Sequence, residues 1–265
     1  MFQEPHIRVL LPVTADKLMT EPRAGKLYRS LELEHGIRVT RDQIEFGPAS
    51  IESEYEEMLA VPDSIVHARQ AEADGVGAVI LDCMGDPGLN AVRESLNIPV
   101  FGPSQTSMHV ASMLGHSFSI LTILDRQVHV QEQQVLDYGL GSKLASVRSV
   151  DIPVLSLDDD LGKVADALFE QGRLAIEKDR AHVLILGCTG MIGLADQVKE
   201  KLHAAGHADV PVIDPIPVTI HAASAIVRSQ LSHSKKTYPN PDYTKQIVGF
   251  PWRSSESYRG ERGSK

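Results

Sequence analysis

Cysteine is scarce in this chain: 265 residues contain only two, with a single tryptophan. Two thiols are too few for a disulfide framework, and a metal site built from several thiolates is excluded by count. No apolar run approaches the roughly 18 residues that a membrane-spanning helix needs, so no membrane partner is expected. The N-terminal MFQEPHIRVLLPVT has a short apolar stretch but neither a basic leader nor a small-residue cleavage site, which points to a cytoplasmic protein. Positive charge is in the minority, 26 Lys and Arg against 35 Asp and Glu for a net charge of −9. Affinity for a phosphate backbone rests on clustered basic residues, so nucleic acid is not expected as a partner. GCTGMIG contains three glycines, but neither a P-loop lysine nor the dinucleotide fingerprint accompanies it.

What is present is an ordinary globular composition, 42% hydrophobic and 23% charged, in a chain long enough for two lobes of usual size. Apolar, β-branched runs recur at 7–13, 76–83, 118–124, 182–188 and 210–214. Between them the pattern predicts helices over 61–74, 107–114, 125–138, 160–178, 194–205 and 219–230. Such alternation implies an α/β fold of parallel sheets covered by helices on both faces.

The pattern also repeats. GAVILDC (77–83) resembles HVLILGC (182–188), and IPVFGPSQTSMHVA (98–111) aligns without gaps on VPVIDPIPVTIHAA (210–223). Two pseudo-symmetric lobes follow, each a parallel sheet flanked by helices, with a small-molecule site in the cleft between them. The first lobe is expected at 1–104 plus 217–250 and the second at 105–216. Residues 251–265, the end of a Pro-, Ser- and charge-rich stretch starting at Tyr238, read as a surface or disordered tail.

Each half carries one cysteine, Cys83 or Cys188, at the carboxyl end of a strand, where α/β folds place ligands. A lone cysteine there is equally well a small buried hydrophobe. Two at equivalent positions suit stereoinversion, in which one group removes a proton from one face of a carbon and another delivers one to the opposite face. In LDCMGDPGL, Gly85 permits a tight turn, Asp86 reads as a helix cap and Pro87 as the first helical residue. A helix N-terminus beside Cys83 is therefore expected to lower its pKa, unless Asp86 opposes the effect. Amides at Met84 and Thr189 are candidates to bind the developing enolate, and Gly187 and Gly190 let backbone approach a ligand.

The motifs GPASIE (47–52), CMGDPGL (83–89), PVFGPSQTS (99–107), LGCTGM (186–191), PVIDP (211–215) and LSHSKKTYP (231–239) resemble, in order, those of the aspartate/glutamate/hydantoin racemase superfamily, nearest its hydantoin branch. The resemblance implies a two-lobed fold, no pyridoxal phosphate or other cofactor, no metal, a two-base mechanism using Cys83 and Cys188, and a homo-oligomer. Where that branch has Asn-Pro-Asn-Ser/Thr after the first strand, this chain has Leu11-Pro12-Val13-Thr14. Where relatives commonly read Gly-Glu-Ala, it has Ser104-Gln105-Thr106. Substrate-binding candidates are Thr14, Ser50, Met84, Gly85, Gln105, Thr122, Thr189 and Gly190. Thr14, Ser50, Gln105 and Thr122 read equally as turn or helix-capping residues. His109, His221 and the Asp158-Asp159-Asp160 run read as structural or solvated.

The expected reaction is inversion of a carbon acid beside a carbonyl, on a hydantoin-like or amino-acid-derived small molecule. A decarboxylase or cis–trans isomerase on the same scaffold, or a binding protein without turnover, is the alternative.

Overall fold

The structure is a computed structural model that describes residues 4–15 and 21–245. The proposed 251–265 tail lies outside the described residues. Two four-stranded parallel sheets carry the fold. The first consists of β1 (His6–Leu11), β2 (Arg38–Gln43), β3 (Ala78–Leu81) and β4 (Val100–Phe101), in the order β2-β1-β3-β4. The second consists of β5 (Phe118–Thr122), β6 (Leu144–Ser149), β7 (Val183–Leu186) and β8 (Val212–Ile213), in the order β6-β5-β7-β8. The same topology therefore occurs twice, and β3 and β7, the strands before the two cysteines, hold the same place in it.

Every residue of β3, β5 and β7 is buried, as expected of central parallel strands covered on both faces. The edge strands β2 and β6 have mostly half-buried residues, and their sequences RVTRDQ and LASVRS lack an apolar run. The helices are α1 (Glu21–His35), α2 (Glu54–Ala73), α3 (Leu89–Ser95), α4 (Pro103–Leu114), α5 (Val128–Asp137), α6 (Leu161–Asp179), α7 (Ala195–Ala204) and α8 (Pro215–Arg228).

Several helix starts differ from expectation: α4 and α8 begin at Pro103 and Pro215, each four residues early with proline in the first turn, and α2 and α3 differ too. Helix α2 begins seven residues before Val61, because the Ser53 side chain caps the Glu56 N–H while Glu56 reaches past the cap to the Glu52 N–H. Helix α3 begins at Leu89 rather than Pro87, with Gly88 as its cap at φ 66°. Asp86 sits outside that helix at φ 48°, in the left-handed region that aspartate tolerates better than most residues. Helices α4 and α8 pack on each other, yet α4 lies against β5 and β7 whereas α8 lies against β1, β3 and β4. The segment after α8 also returns to the first sheet. His233 bonds the backbone of Val100 on edge strand β4, and Lys235 Nζ bonds the carbonyls of Arg93, Glu94 and Leu96 at the end of α3.

A charged clamp joins α2 to the end of β2. His67 is buried between Asp42 (Nδ1 to Oδ2, 2.9 Å) and Asp63 (Nε2 to Oδ2, 3.5 Å), and Asp63 also accepts the N–H groups of Glu45 and Phe46. Burial disfavours the imidazolium, but the two carboxylates outweigh it and raise its pKa to about 9. A raised histidine pKa contributes stability that is fully present below the unfolded value of about 6.5 and is lost as pH rises through the folded value. The urea midpoint is therefore expected to fall between pH 7 and 10. In His67→Asn that alkaline loss should shrink, with the variant about 2 kcal/mol less stable at pH 6.5. Equal alkaline slopes in both proteins would refute the assignment.

Candidate active site

The cleft between the sheets is lined by the carboxyl ends of β1, β3, β5 and β7 and by residues of α2 and α5. It encloses about 700 Å³ of empty space, part of it open to solvent. Cys83 follows the end of β3 and Cys188 the end of β7, each by two residues, and both line this one cleft. Both are free thiols. Of the residues expected at the site, Met84, Gly85, Thr122, Thr189 and Gly190 line the cleft with them. Thr14, Ser50 and Gln105 do not.

Thr14 instead closes a loop, its N–H donating to Pro48 O at 2.8 Å and its hydroxyl facing Gly47 O at 3.5 Å. Gln105 is held away from the cleft because its Oε1 accepts from Arg93 at 2.7 Å. Ser50 neither lines the cleft nor caps α2, a role taken by Ser53. Its neighbour Glu52 does reach the opposite lobe, accepting from Arg126 at 2.6 Å and from the Val154 N–H at 2.7 Å.

The loop carrying Cys83 is pinned by the other lobe. Asp86 accepts the N–H groups of Ser104 (3.0 Å) and Gln105 (2.9 Å) at the start of α4 and the Tyr138 hydroxyl (2.7 Å) after α5. Gln134 donates to Gly85 O at 3.0 Å and accepts from the Ser104 hydroxyl. The Met84 side chain is buried among Met108, Phe118 and Ile120 of the second lobe. The Thr189 hydroxyl reaches the Asp82 carbonyl at 3.2 Å, tying the two cysteine loops together. Gly187 is required before Cys188, because a Cβ there would stand 2.7 Å from Leu121 O on β5.

Electrostatics overturn one expectation. Burial pushes the Cys83 thiol well above its usual range and the Cys188 thiol up to about 12, so neither is depressed. Negative neighbours add to this: Glu57, Cys188 and Asp86 act on Cys83, and Asp82 and Glu52 act on Cys188. Backbone amides partly oppose the rise. The Gly85 N–H approaches Cys83 Sγ at 3.4 Å, and the Gly190 and Met191 N–H groups favour the Cys188 thiolate. No helix starts directly at Cys83, since Asp86 has turned to α4 and α3 opens at Gly88.

Several cleft residues were not anticipated: Leu11, Val13, Ile51, Ile123 and Val154 form apolar wall, and Glu57, Asp82, Gln127 and Gln131 are polar. Glu57, on the first turn of α2, lies against Gly85, where its carboxyl leaves no room for a Cβ. Burial and the neighbouring Glu54 and Asp86 raise its carboxyl to about 7. Burial likewise raises Asp82, against the opposing effects of Thr189 and Arg41.

Two like α/β lobes each deliver a thiol from the same strand end into a shared cleft, and the relatives this chain matches make it an isomerase of the racemase class. A profile described as Asp/Glu/Hydantoin racemase matches residues 25–223, and the chain belongs to that family. A hydantoin racemase of Pseudomonas sp. (strain NS671) is 38% identical over 204 residues, covering 77% of this chain and 79% of that protein. One from Rhizobium meliloti is 37% identical over 195 residues, covering 73% and 78%. The solved allantoin racemase from Klebsiella pneumoniae superposes with a TM-score of 0.84 at 30% identity, covering 93% of this chain and 97% of that one.

Proposed function

We propose that the enzyme racemises a hydantoin-like carbon acid, with Cys83 and Cys188 acting from opposite faces. The observation that carries this reading is the placement of both thiols at equivalent strand ends on one cleft. The cysteine facing the C–H bond, as thiolate, takes the proton. The other, as thiol, delivers its proton to the opposite face, and the roles exchange for the other enantiomer. The carbanion next to a carbonyl is an enolate, and the Gly85, Gly190 and Met191 amides are the donors nearest the sulfurs to meet its charge.

A thiol held near 12 is seldom ionised at neutral pH, but its thiolate is correspondingly more basic, which suits a weak carbon acid. A hydantoin carbon flanked by a ring carbonyl and ring nitrogen loses its proton more readily than the α-carbon of an amino-acid carboxylate. This matters for a reaction run without an electron-sink cofactor. The relatives named hydantoin and allantoin racemase support the same substrate class. The enzyme is further proposed to work in the cytoplasm as a homo-oligomer.

Single-enantiomer hydantoins incubated in deuterated water test the proposal. Loss of optical rotation with deuterium incorporation is expected, faster at pH 8.5 than at pH 7 because thiolate increases with pH. Retained rotation without exchange would rule the reaction out, and carbon dioxide release from malonate-type substrates would instead assign a decarboxylase.

A further inference from the structure

The ionisable side chains on the described cleft wall, the two thiols aside, are all acids. Among the described residues lining it, Glu57 and Asp82 are carboxylic acids, and none is lysine, arginine or histidine. Arg41 acts on Asp82 electrostatically without lining the cleft. The polar groups beside these acids are short of donors. Gln131 Nε2 donates to Gly187 O at 3.1 Å, which turns its Oε1 the other way, and that oxygen is buried without a partner. Asp82 Oδ1 is also buried without a partner, as is the Thr122 hydroxyl, which can accept or donate. A buried acceptor left unmatched is costly, and a ligand rich in N–H groups is the natural means of relieving it. A carboxylate placed among these oxygens would add repulsion and supply no donor.

We propose that Glu57 and Asp82 are specificity residues that favour a substrate whose substituent on the reacting carbon carries a protonated nitrogen, ammonium or guanidinium, over one ending in a carboxylate. The inference rests on the two-thiol reading of the cleft and adds to it the charge of the molecule turned over. Glu57 reaches the cleft from α2 beside Cys83, and Asp82 from the end of β3, within electrostatic reach of Cys188. A cation in the cleft is attracted by either acid, and the apolar wall of Leu11, Val13 and Val154 accommodates the methylene chain that bears it.

Three L-5-substituted hydantoins of matched chain length provide the test: 4-aminobutyl, pentyl and 3-carboxypropyl. The aminobutyl compound is expected to exceed pentyl in kcat/KM by about tenfold or more, and carboxypropyl to fall below pentyl by a similar factor. Glu57→Gln and Asp82→Asn should each narrow the cation-to-carboxylate ratio by about tenfold. That ratio is unaffected by how much of a variant folds. Racemisation of all three at similar rates, or a ratio unchanged in both variants, would overturn the specificity while leaving the two-thiol mechanism standing. If none is racemised, the mechanism fails, and calorimetric binding of the same three compounds decides the selectivity. Tightest binding of the cation supports it, and equal or absent binding overturns it.

Discussion

Replacing either Cys83 or Cys188 with serine is expected to lower racemisation by about 10³-fold or more. A serine hydroxyl is close to isosteric but a far weaker acid than a thiol, so it neither forms the base nor delivers a proton at a useful rate. One half of the reaction should outlast the other. With Cys83→Ser, exchange of solvent deuterium into the enantiomer whose C–H faces Cys188 continues without inversion, and Cys188→Ser leaves exchange on the other enantiomer. Polarimetry and proton NMR on each pure enantiomer would show the split. A serine variant that racemises at the parental rate would remove that cysteine from the mechanism. Stability should change little, because serine is nearly the size of cysteine and each thiol, though packed against a core on one side, also lines the cleft.

Asp86→Ala should cost about 3 kcal/mol or more of stability and most of the activity together. The 4%-exposed carboxyl of Asp86 accepts two N–H groups of α4 and the Tyr138 hydroxyl, so its removal strands three donors in the interior. It also loosens the loop that presents Cys83, leaving, among the described contacts from the second lobe, the Gln134 bond to Gly85 O, the Thr189 bond to Asp82 O and the burial of Met84. Tyr138→Phe removes one of the three bonds and should lose about 1 kcal/mol, with a smaller effect on turnover. Urea denaturation and kcat, measured on the same samples, check both. An Asp86→Ala enzyme with parental midpoint and activity would show that this contact does not position the cysteine loop.

The central strands were legible because β3, β5 and β7 are buried on both faces and so read as unbroken apolar runs. Edge strands β2 and β6 were not, since RVTRDQ and LASVRS satisfy their half-solvated faces with polar side chains. Helix α1 went unrecognised because EPRAGKLYRSLELEH carries an early Pro and Gly, although Ala24, Tyr28 and Leu31 turn one face to the core. At the site, the cysteines stood out by rarity and repetition. Glu57 did not, because it falls before the helix start expected at Val61, in the charged stretch SEYEE. Asp82 left a faint signal, an acid closing the run AVILDC, and Gln131 left none. Gln105 and Thr14 were misplaced because motif position says nothing about which neighbour claims a side chain, here Arg93 and the Gly47–Pro48 loop.

The amino-acid order alone determined a doubled parallel α/β architecture and one thiol at the same strand end of each half, because strand patterning and residue chemistry are local properties. Tertiary structure decided how those thiols are protonated, which amides serve them and that acids line the described cleft. Each depends on burial and on groups distant in sequence: Glu57 acts on Cys83, and Asp82 acts on Cys188 from the other lobe. Desolvation and charge proximity are set by where the folded chain brings such groups together, and no stretch of sequence read by itself contains that distance.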